Sequence, residues 1–414
     1  MAALQPVRGT HDLLPEDSRR HRHVIDTARR IAERFGFAEI STPIFEFSDV
    51  FRRTLGETSD IVSKEMYTFT DRGGEEVTLR PEATAGIASA LISGGLSQHL
   101  PLKYFCHGPM FRYERPQKGR LRQFHQIDVE LLGVPAPQAD IEVVALGAEI
   151  LDKLAILERC TLELNTLGDS DSRAAYRKVL VDYLSGHRGG LSKDSLDRLE
   201  RNPLRILDSK DEGDRRILAN APIYSAYLTN SAAAFFADVR NGLDALGIAY
   251  TINPRLVRGL DYYCHTAFEF ITGALGAQGT VMGGGRYDGL VEAMGGPATP
   301  GVGWAAGIER MAMLVEDLPP LTRPIAVVPI GEAAEAKALQ LAHRLRRDGF
   351  TVEHGYGGNL ARRLKRANKL NAAAALLIGE NELARNAATL RDLDTGEQVE
   401  VPLDGLAERL SRYR

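Results

Sequence analysis

The sequence predicts an α+β fold in which an antiparallel sheet is flanked by helices, interrupted by a helical insertion and followed by a small α/β domain. Three observations carry that expectation. Short β-rich runs mix with helical ones between residues 38 and 133, a charged helical stretch without strand-like runs fills residues 169–246, and strands alternate with helices beyond a proline-marked linker.

The elements follow in order. After Pro15, the apolar positions Val24, Ile25, Ala28, Ile31, Ala32 and Phe35 recur at helical spacing and Gly36 supplies the stop. His21 and His23 on this helix fit no metal-ligand pattern and are expected at the surface. Strand-like runs at Val77–Leu79, Leu102–Phe105 and Phe124–Leu132 bracket a helical run from Thr84 to Ile92. Residues 1–168 therefore read as the first part of an α+β core and 169–246 as an inserted helical subdomain. The second part of the core is 247–320, where Gly-rich, strand-like sequence from Tyr250 to Trp304 leads into a helix from Ala306 to Val315. Pro319, Pro320 and Pro324 mark the linker. Residues 324–414 then read strand (325–330), helix (333–348), strand (351–354), helix (360–370) and strand (374–378).

Composition narrows the class. The 414 residues carry 51 Lys plus Arg against 55 Asp plus Glu, with 44% hydrophobic residues, which excludes disorder and a uniformly basic nucleic-acid coat but leaves local basic patches open. Cys106, Cys160 and Cys264 lie far apart with no Cys-x-x-Cys pair, as expected of a reducing compartment. The polar start, broken by Pro6 and Pro15, lacks the apolar core of a signal peptide, and no segment is long enough to span a bilayer. A cytoplasmic protein without membrane contact is expected.

The chemistry is concentrated between Phe111 and Leu132, where Pro116 and Gly119 punctuate a hairpin. Side chains two apart share a strand face, so Arg120, Arg122, Phe124, Gln126, Asp128 and Glu130 line one side, while Leu121, Ile127, Val129 and Leu131 point to the other. Arg112 and Glu114 join the polar side across the hairpin. A solvated edge strand is the plainer reading. The mixture of arginines, an aromatic ring, an amide and carboxylates instead suits a polyphosphate, a flat base and a cationic or imidazole group.

Phe111-Arg112-Tyr113-Glu114, a loop and Phe124 resemble motif 2 of class II aminoacyl-tRNA synthetases. Gly301-Val302-Gly303 followed by Gly307-Ile308-Glu309-Arg310 resembles motif 3, and Ser41-Thr42-Pro43 a weaker motif 1. The stretches Leu256 to Tyr263 and Gly284 to Leu290 resemble the two signatures of the histidyl-tRNA synthetase family, and the similarity covers essentially the whole chain.

That resemblance implies a homodimeric ligase that converts L-histidine and ATP, with Mg2+, to histidyl-adenylate and pyrophosphate, then transfers the histidyl group to the 3' end of tRNA(His). It implies catalytic roles for Arg112, Arg258 and Arg310. ATP would be held by Arg112, Glu114, Arg120, Arg122, Phe124 and Arg310, with Phe124 stacked on adenine, Glu114 at its edge and Arg310 on the γ-phosphate. Histidine would be held by Glu82, Thr84 and Gln126 at the α-ammonium, by Glu130 and Tyr263 at the imidazole, and by Arg112, Arg258, Tyr262 and Tyr287 around them. Residues 324–414 would bind the anticodon. Metal ligands are not assigned.

Other readings stay open beside these. The glycines from Gly283 to Gly289 fit neither phosphate-loop pattern, and close backbone packing is the other account of them. Arg362, Arg363, Lys365, Arg366 and Lys369 on one helix suit either a solvated face or RNA contact. His125 points away from Phe124 and is expected to pack. Trp304, the pair Cys264 and His265, and Asp128, which stands where a small residue is common, depart from the family pattern. A non-catalytic paralogue that binds histidine and regulates ATP phosphoribosyltransferase would share the catalytic fold. Arg112, Arg258, Arg310 and the C-terminal domain, which such a regulator typically loses, are all present here.

Overall fold

The computed structural model describes residues 4–56, 59, 61–258 and 262–414, so Gly259, Leu260 and Asp261 of the first histidine signature lie outside the described residues. The chain divides into two compact units, Met1–Leu318 and Pro319–Arg414.

The first unit is organised by an eight-stranded sheet. In spatial order its strands are Ala38–Glu39, Leu102–Phe111, Gln123–Leu132, Gly301–Gly307, Thr280–Arg286, Cys264–Ile271, Thr161–Thr166 and Thr251–Ile252. The six inner strands are antiparallel and only the two short outer pairs are parallel. The long hairpin pairs Leu102 with Leu132 and Phe111 with Gln123. Pleating then sends Ile127, Val129 and Leu131 into one core with Val24, Ala28 and Ile31 of helix Pro15–Arg34 and Val143, Leu146 and Ile150 of helix Gln138–Lys153. The opposite face is left for the polar residues of the same strand.

Helix Pro15–Arg34 has proline in its first turn with Glu16 and Asp17, a favourable charge placement at a helix start. Its buried positions run His21, Val24, Thr27, Ala28, Ile31 and Ala32. His21 therefore corrects the expectation of a surface residue: it falls on the buried stripe and its ring meets His125 edge-on, with centroids 5.5 Å apart. Four helices of seven residues or more, Ser170–Ser185, Lys193–Arg201, Glu212–Leu218 and Asn230–Ala245, fill the stretch between strands Thr161–Thr166 and Thr251–Ile252.

The segment that enters the site is stapled by Arg80. Its guanidinium donates to Thr42 O at 2.9 Å, Thr42 Oγ1 at 3.0 Å and Pro109 O at 2.9 Å, joining the Ser41–Pro43 stretch to the sheet.

The second unit is built on a five-stranded sheet ordered Val352–His354, Ile325–Pro329, Ala374–Ile378, Ala387–Asp392 and Gln398–Pro402. The first three strands are parallel, as the α/β reading expects, and the last two add an antiparallel edge that the sequence reading did not separate. On helix Leu360–Lys369 the basic residues do not act alike. Arg363 is buried against Pro329 O and Glu335, and Arg366 pairs with Glu353, leaving Arg362, Lys365 and Lys369 exposed and without an acidic partner among the described residues.

One interaction locks the site strands to the core. At the end of strand Thr280–Arg286 a register shift turns Arg286 inward, where it pairs with Asp140 in the first turn of helix Gln138–Lys153. Both side chains have no exposed surface, and Arg286 also donates to Val134 O and Asp288 at 3.0 Å each and to Ala136 O at 3.2 Å. Removing one partner strands a buried charge, so Arg286→Leu should cost about 3–5 kcal/mol in urea unfolding, whereas Arg286→Met combined with Asp140→Leu should recover much of the loss. Equal losses for the single and double variants would show that the remaining contacts of Arg286, not the ion pair, hold this corner.

Candidate active site

A cavity of about 270 Å³ opens on the polar face of strand Gln123–Leu132, walled by the Gly-rich strands Thr280–Arg286 and Gly301–Gly307 and by the entry to helix Thr84–Ser93. Of the residues singled out from sequence, Glu82, Thr84, Arg112, Glu114, Arg120, Phe124, Gln126, Arg258, Tyr262, Tyr263, Tyr287 and Arg310 all line it. Arg122 and Glu130 do not: the Arg122 guanidinium lies 3.8 Å from the Tyr113 ring centroid and donates to Glu114 O, and Glu130 is buried, held by the lining residues Thr84 and Tyr287.

One end of the cavity is cationic. Arg112 is anchored by a 2.9 Å bond to Pro81 O and sits 5.2 Å from the Phe124 ring centroid, so the guanidinium and phenyl ring share one wall. Arg310, on helix Ile308–Leu314, donates to Gly119 O at 3.1 Å and Thr280 O at 2.6 Å. Burial lowers its pKa, and repulsion from Arg120 and Arg112 lowers it further. Guanidiniums held this close repel one another until an anion arrives, which is the condition for binding a polyphosphate. Glu114, which the resemblance places at the adenine edge, is ion-paired with Arg120.

The other end is acidic and deeper. Glu82 accepts the backbone N–H groups of Thr84 at 3.2 Å and Ala85 at 2.8 Å, at the start of helix Thr84–Ser93. The Thr84 hydroxyl donates to Glu130 Oε1 at 2.5 Å, and the Tyr287 hydroxyl donates to Oε2. Burial lifts the Glu130 carboxyl well above its ordinary range; the two hydroxyls oppose the shift while Asp128 and Glu82 add to it. A nearly buried carboxyl oriented by two hydroxyls is suited to reading the N–H groups of a polar ring.

Arg258 approaches from the third wall. It is ion-paired with Glu269, which also accepts a 2.9 Å bond from Thr280 Oγ1, and its guanidinium lies 5.5 Å from the Tyr263 ring centroid. The Tyr262 and Tyr263 rings lie 4.6 Å apart, and Tyr262 meets Tyr287 edge-on at 5.7 Å.

Sequence reasoning missed the supporting partners. Glu269 and the Glu309–His125 pair had no role assigned, yet Glu309 accepts from His125 Nδ1 at 2.8 Å and from the His125 backbone N–H at 3.0 Å, tying the motif 3 helix to the central strand. The adjacency of Glu309 and Arg310 was the available signal: consecutive helical residues point apart, one to the strand and one to the cavity.

An antiparallel sheet whose long hairpin and Gly-rich third strand enclose arginines at one end and carboxylates at the other defines the catalytic domain of a class II aminoacyl-tRNA synthetase. Comparison with known proteins agrees: a family model described as histidyl-tRNA synthetase matches residues 9–311, and one described as anticodon binding domain matches 324–413. The histidine–tRNA ligase of Rhodospirillum rubrum is 62% identical over 414 residues, covering 100% of both chains, and that of Gluconacetobacter diazotrophicus is 57% identical over 99% of both. Apo histidyl-tRNA synthetase from S. aureus superposes with a TM-score of 0.83 at 34% identity, covering 98% of this chain and 99% of that one. The chain belongs to the histidyl-tRNA synthetase family. A Bacillus halodurans structure described as an ATP phosphoribosyltransferase regulatory subunit/histidyl-tRNA synthetase, 21% identical with a TM-score of 0.67 over 92% of this chain and 100% of that one, shares the fold.

Gly303 gives the acidic end its shape. A Cβ there would collide with Glu130 Oε2 and with Val129 O, so no other residue fits without displacing the carboxyl. Gly303→Ala should abolish saturable histidine binding while ATP affinity, read by equilibrium dialysis, stays within about threefold, since the cationic end is built from other elements. Parallel loss of both affinities would mean that the change collapses the sheet rather than the pocket.

Proposed function

We propose that this cavity carries out both steps of histidine–tRNA ligation, with its cationic end holding ATP and its acidic end holding histidine. The observation that carries the reading is the polarity of the cavity: three guanidiniums converge at one end, while Glu82 lines the other and Glu130 is buried behind it, hydrogen-bonded to the lining residues Thr84 and Tyr287.

In the first step a carboxylate oxygen of histidine attacks the α-phosphorus of ATP. The bond from that phosphorus to the bridging oxygen breaks, and pyrophosphate leaves with the electron pair. Two anions must approach, so Arg112 and Arg258 would neutralise the α-phosphate and carboxylate, and Arg310 and Arg120 the departing pyrophosphate. Phe124 would stack on adenine, with Glu114 at the base edge once ATP draws Arg120 away. Arg122 would serve from the motif 2 loop. Glu82, Thr84 and Gln126 would hold the α-ammonium, and Glu130, with Tyr287 and Tyr263, the imidazole, with Tyr262 closing the wall. In the second step a ribose hydroxyl of the tRNA 3' end attacks the acyl carbon and AMP leaves. No protein nucleophile is needed.

Magnesium would partner the phosphates, screening charge on the triphosphate. Of the cavity-lining carboxylates, Glu114 pairs with Arg120, Glu309 with His125, and Glu82 caps two amides. The fit is therefore to an ion carried largely by ATP oxygens rather than by a dedicated protein cage.

The domain roles follow the same reading: core parts 1–168 and 247–320, insertion 169–246, and residues 324–414 for the anticodon, with Arg362, Lys365 and Lys369 as the exposed cations of one helix. A cytoplasmic homodimer is the proposed working form, supported by the motif 1 resemblance and by three unpaired cysteines. No helix among the described residues is long and apolar enough to cross a membrane.

Amino-acid-dependent ATP–pyrophosphate exchange tests the function without tRNA. Exchange is expected with histidine alone among the twenty amino acids; none from a folded protein that binds histidine would favour a regulatory role. Arg258→Ala should lower exchange by about a hundredfold or more while the fold persists. Near-wild-type turnover would remove Arg258 from the chemistry.

A further inference from the structure

Among the carboxylates on the acidic side of the cavity, Asp128 is the unusual one. It is fully buried, and among the described residues neither carboxylate oxygen has a hydrogen-bond donor. Gln126, two residues earlier on the same strand face, likewise has a buried side-chain oxygen without a donor among the described residues. Their neighbours are already committed. Both oxygens of Glu82 accept backbone N–H groups, and both of Glu130 accept hydroxyls. Arg80 and Arg112 act on Asp128 through their charge, but their hydrogen bonds go to Thr42, Pro109 and Pro81. Cys106, opposite Asp128 in the register, is a buried thiol.

Two adjacent buried acceptors without donors are costly in a folded protein and call for a cationic donor group. A primary ammonium presents three N–H donors and one positive charge. Gln126 lines the cavity, whereas Asp128 lies just behind its wall, where low polarisability lets a charge act across the wall at far more than its strength in water. Burial, with the neighbouring Glu82 adding to it, also holds the Asp128 carboxyl well above its ordinary range.

We propose that Asp128 is a specificity-determining residue of this site, supplying the negative charge that, together with Gln126 and Glu82, selects substrates bearing an α-ammonium. The inference rests on the reading of the cavity as a histidine site. It adds a residue that the family resemblance leaves as a departure, and it assigns the selection to charge beneath the cavity wall as well as to the residues that line it.

Three ligands separate the contributions: histidine, histamine, which keeps the ring and ammonium but lacks the carboxylate, and 3-(imidazol-4-yl)propionate, which keeps the ring and carboxylate but lacks the ammonium. Binding is measured by calorimetry at one pH on the full chain, wild type against Asp128→Asn, with ATP affinity alongside. The variant is expected to lose about tenfold to a hundredfold in affinity for histidine and histamine and to hold the propionate within about twofold. Unchanged histidine affinity would overturn the proposal, and so would an equal loss for all three ligands, which is what a structural role produces. If the asparagine variant does not fold, Asp128→Ala is read in the same way. Failure of the wild type to bind histidine would instead overturn the functional reading on which the proposal stands.

Discussion

The two-residue period of one strand is the constraint on which the molecule depends. Along Gln123–Leu132, Ile127, Val129 and Leu131 join the apolar core, while on the opposite face Gln126 lines the cavity and Asp128 and Glu130 are buried behind it. Hydrophobic burial of the first set fixes the second, because a slip of one residue would put carboxylates into the core and aliphatic side chains into the cavity. Packing against helices Pro15–Arg34 and Gln138–Lys153 is thus also what positions the chemistry, and the Arg286–Asp140 pair ties a neighbouring site strand to the second of those helices.

The cavity then sorts its ligands by charge along its length. Arg112, Arg120 and Arg310 raise the potential at one end, and Glu82, Asp128 and Glu130 lower it at the other. On the proposed reading, a molecule carrying a carboxylate, an ammonium and a polar ring would take one favourable orientation in such a field, with its carboxylate towards the arginines. Burial makes this discrimination strong, since every group left without its partner forfeits its solvation. The same burial lifts all three carboxyls above their ordinary range, so the acidic end is held in check electrostatically until a cationic ligand neutralises it.

Much of this was legible in residue order because strand and helix periodicities leave a direct trace. The antiparallel core, the inserted helices and the polar strand face all follow from local pattern, and twelve of the proposed site residues line one cavity. What escaped depends on contacts between distant segments. His21 continues the buried stripe one turn before Val24, but its polar side chain disguised the position, and its partner His125 lies in a distant strand. Glu309 and Glu269 matter through His125 and Arg258, residues 184 and 11 positions away. Arg122 belongs to the alternating series by count, but the regular strand begins only at Gln123, so its side chain is free to stack on Tyr113. The basic helix Leu360–Lys369 divides in the same way: a buried stripe claims Arg363, and Glu353 claims Arg366.

The Gly-rich strands show how backbone packing can be mistaken for phosphate binding. A phosphate loop presents backbone N–H groups at a strand-to-helix turn. Here Gly283 and Gly284 lie inside strand Thr280–Arg286, with their backbone groups engaged in ladders on both sides. A Cβ on Gly283 would stand 2.5 Å from Arg258 Nη1, and one on Gly284 would press into the facing strand, 2.6 Å from Trp304 Cα. The glycines therefore serve by absence. Removing side chains from this wall lets Arg258 lie flat against the sheet and lets two strands close on each other, and the space gained is the cavity in which the guanidinium meets its anion.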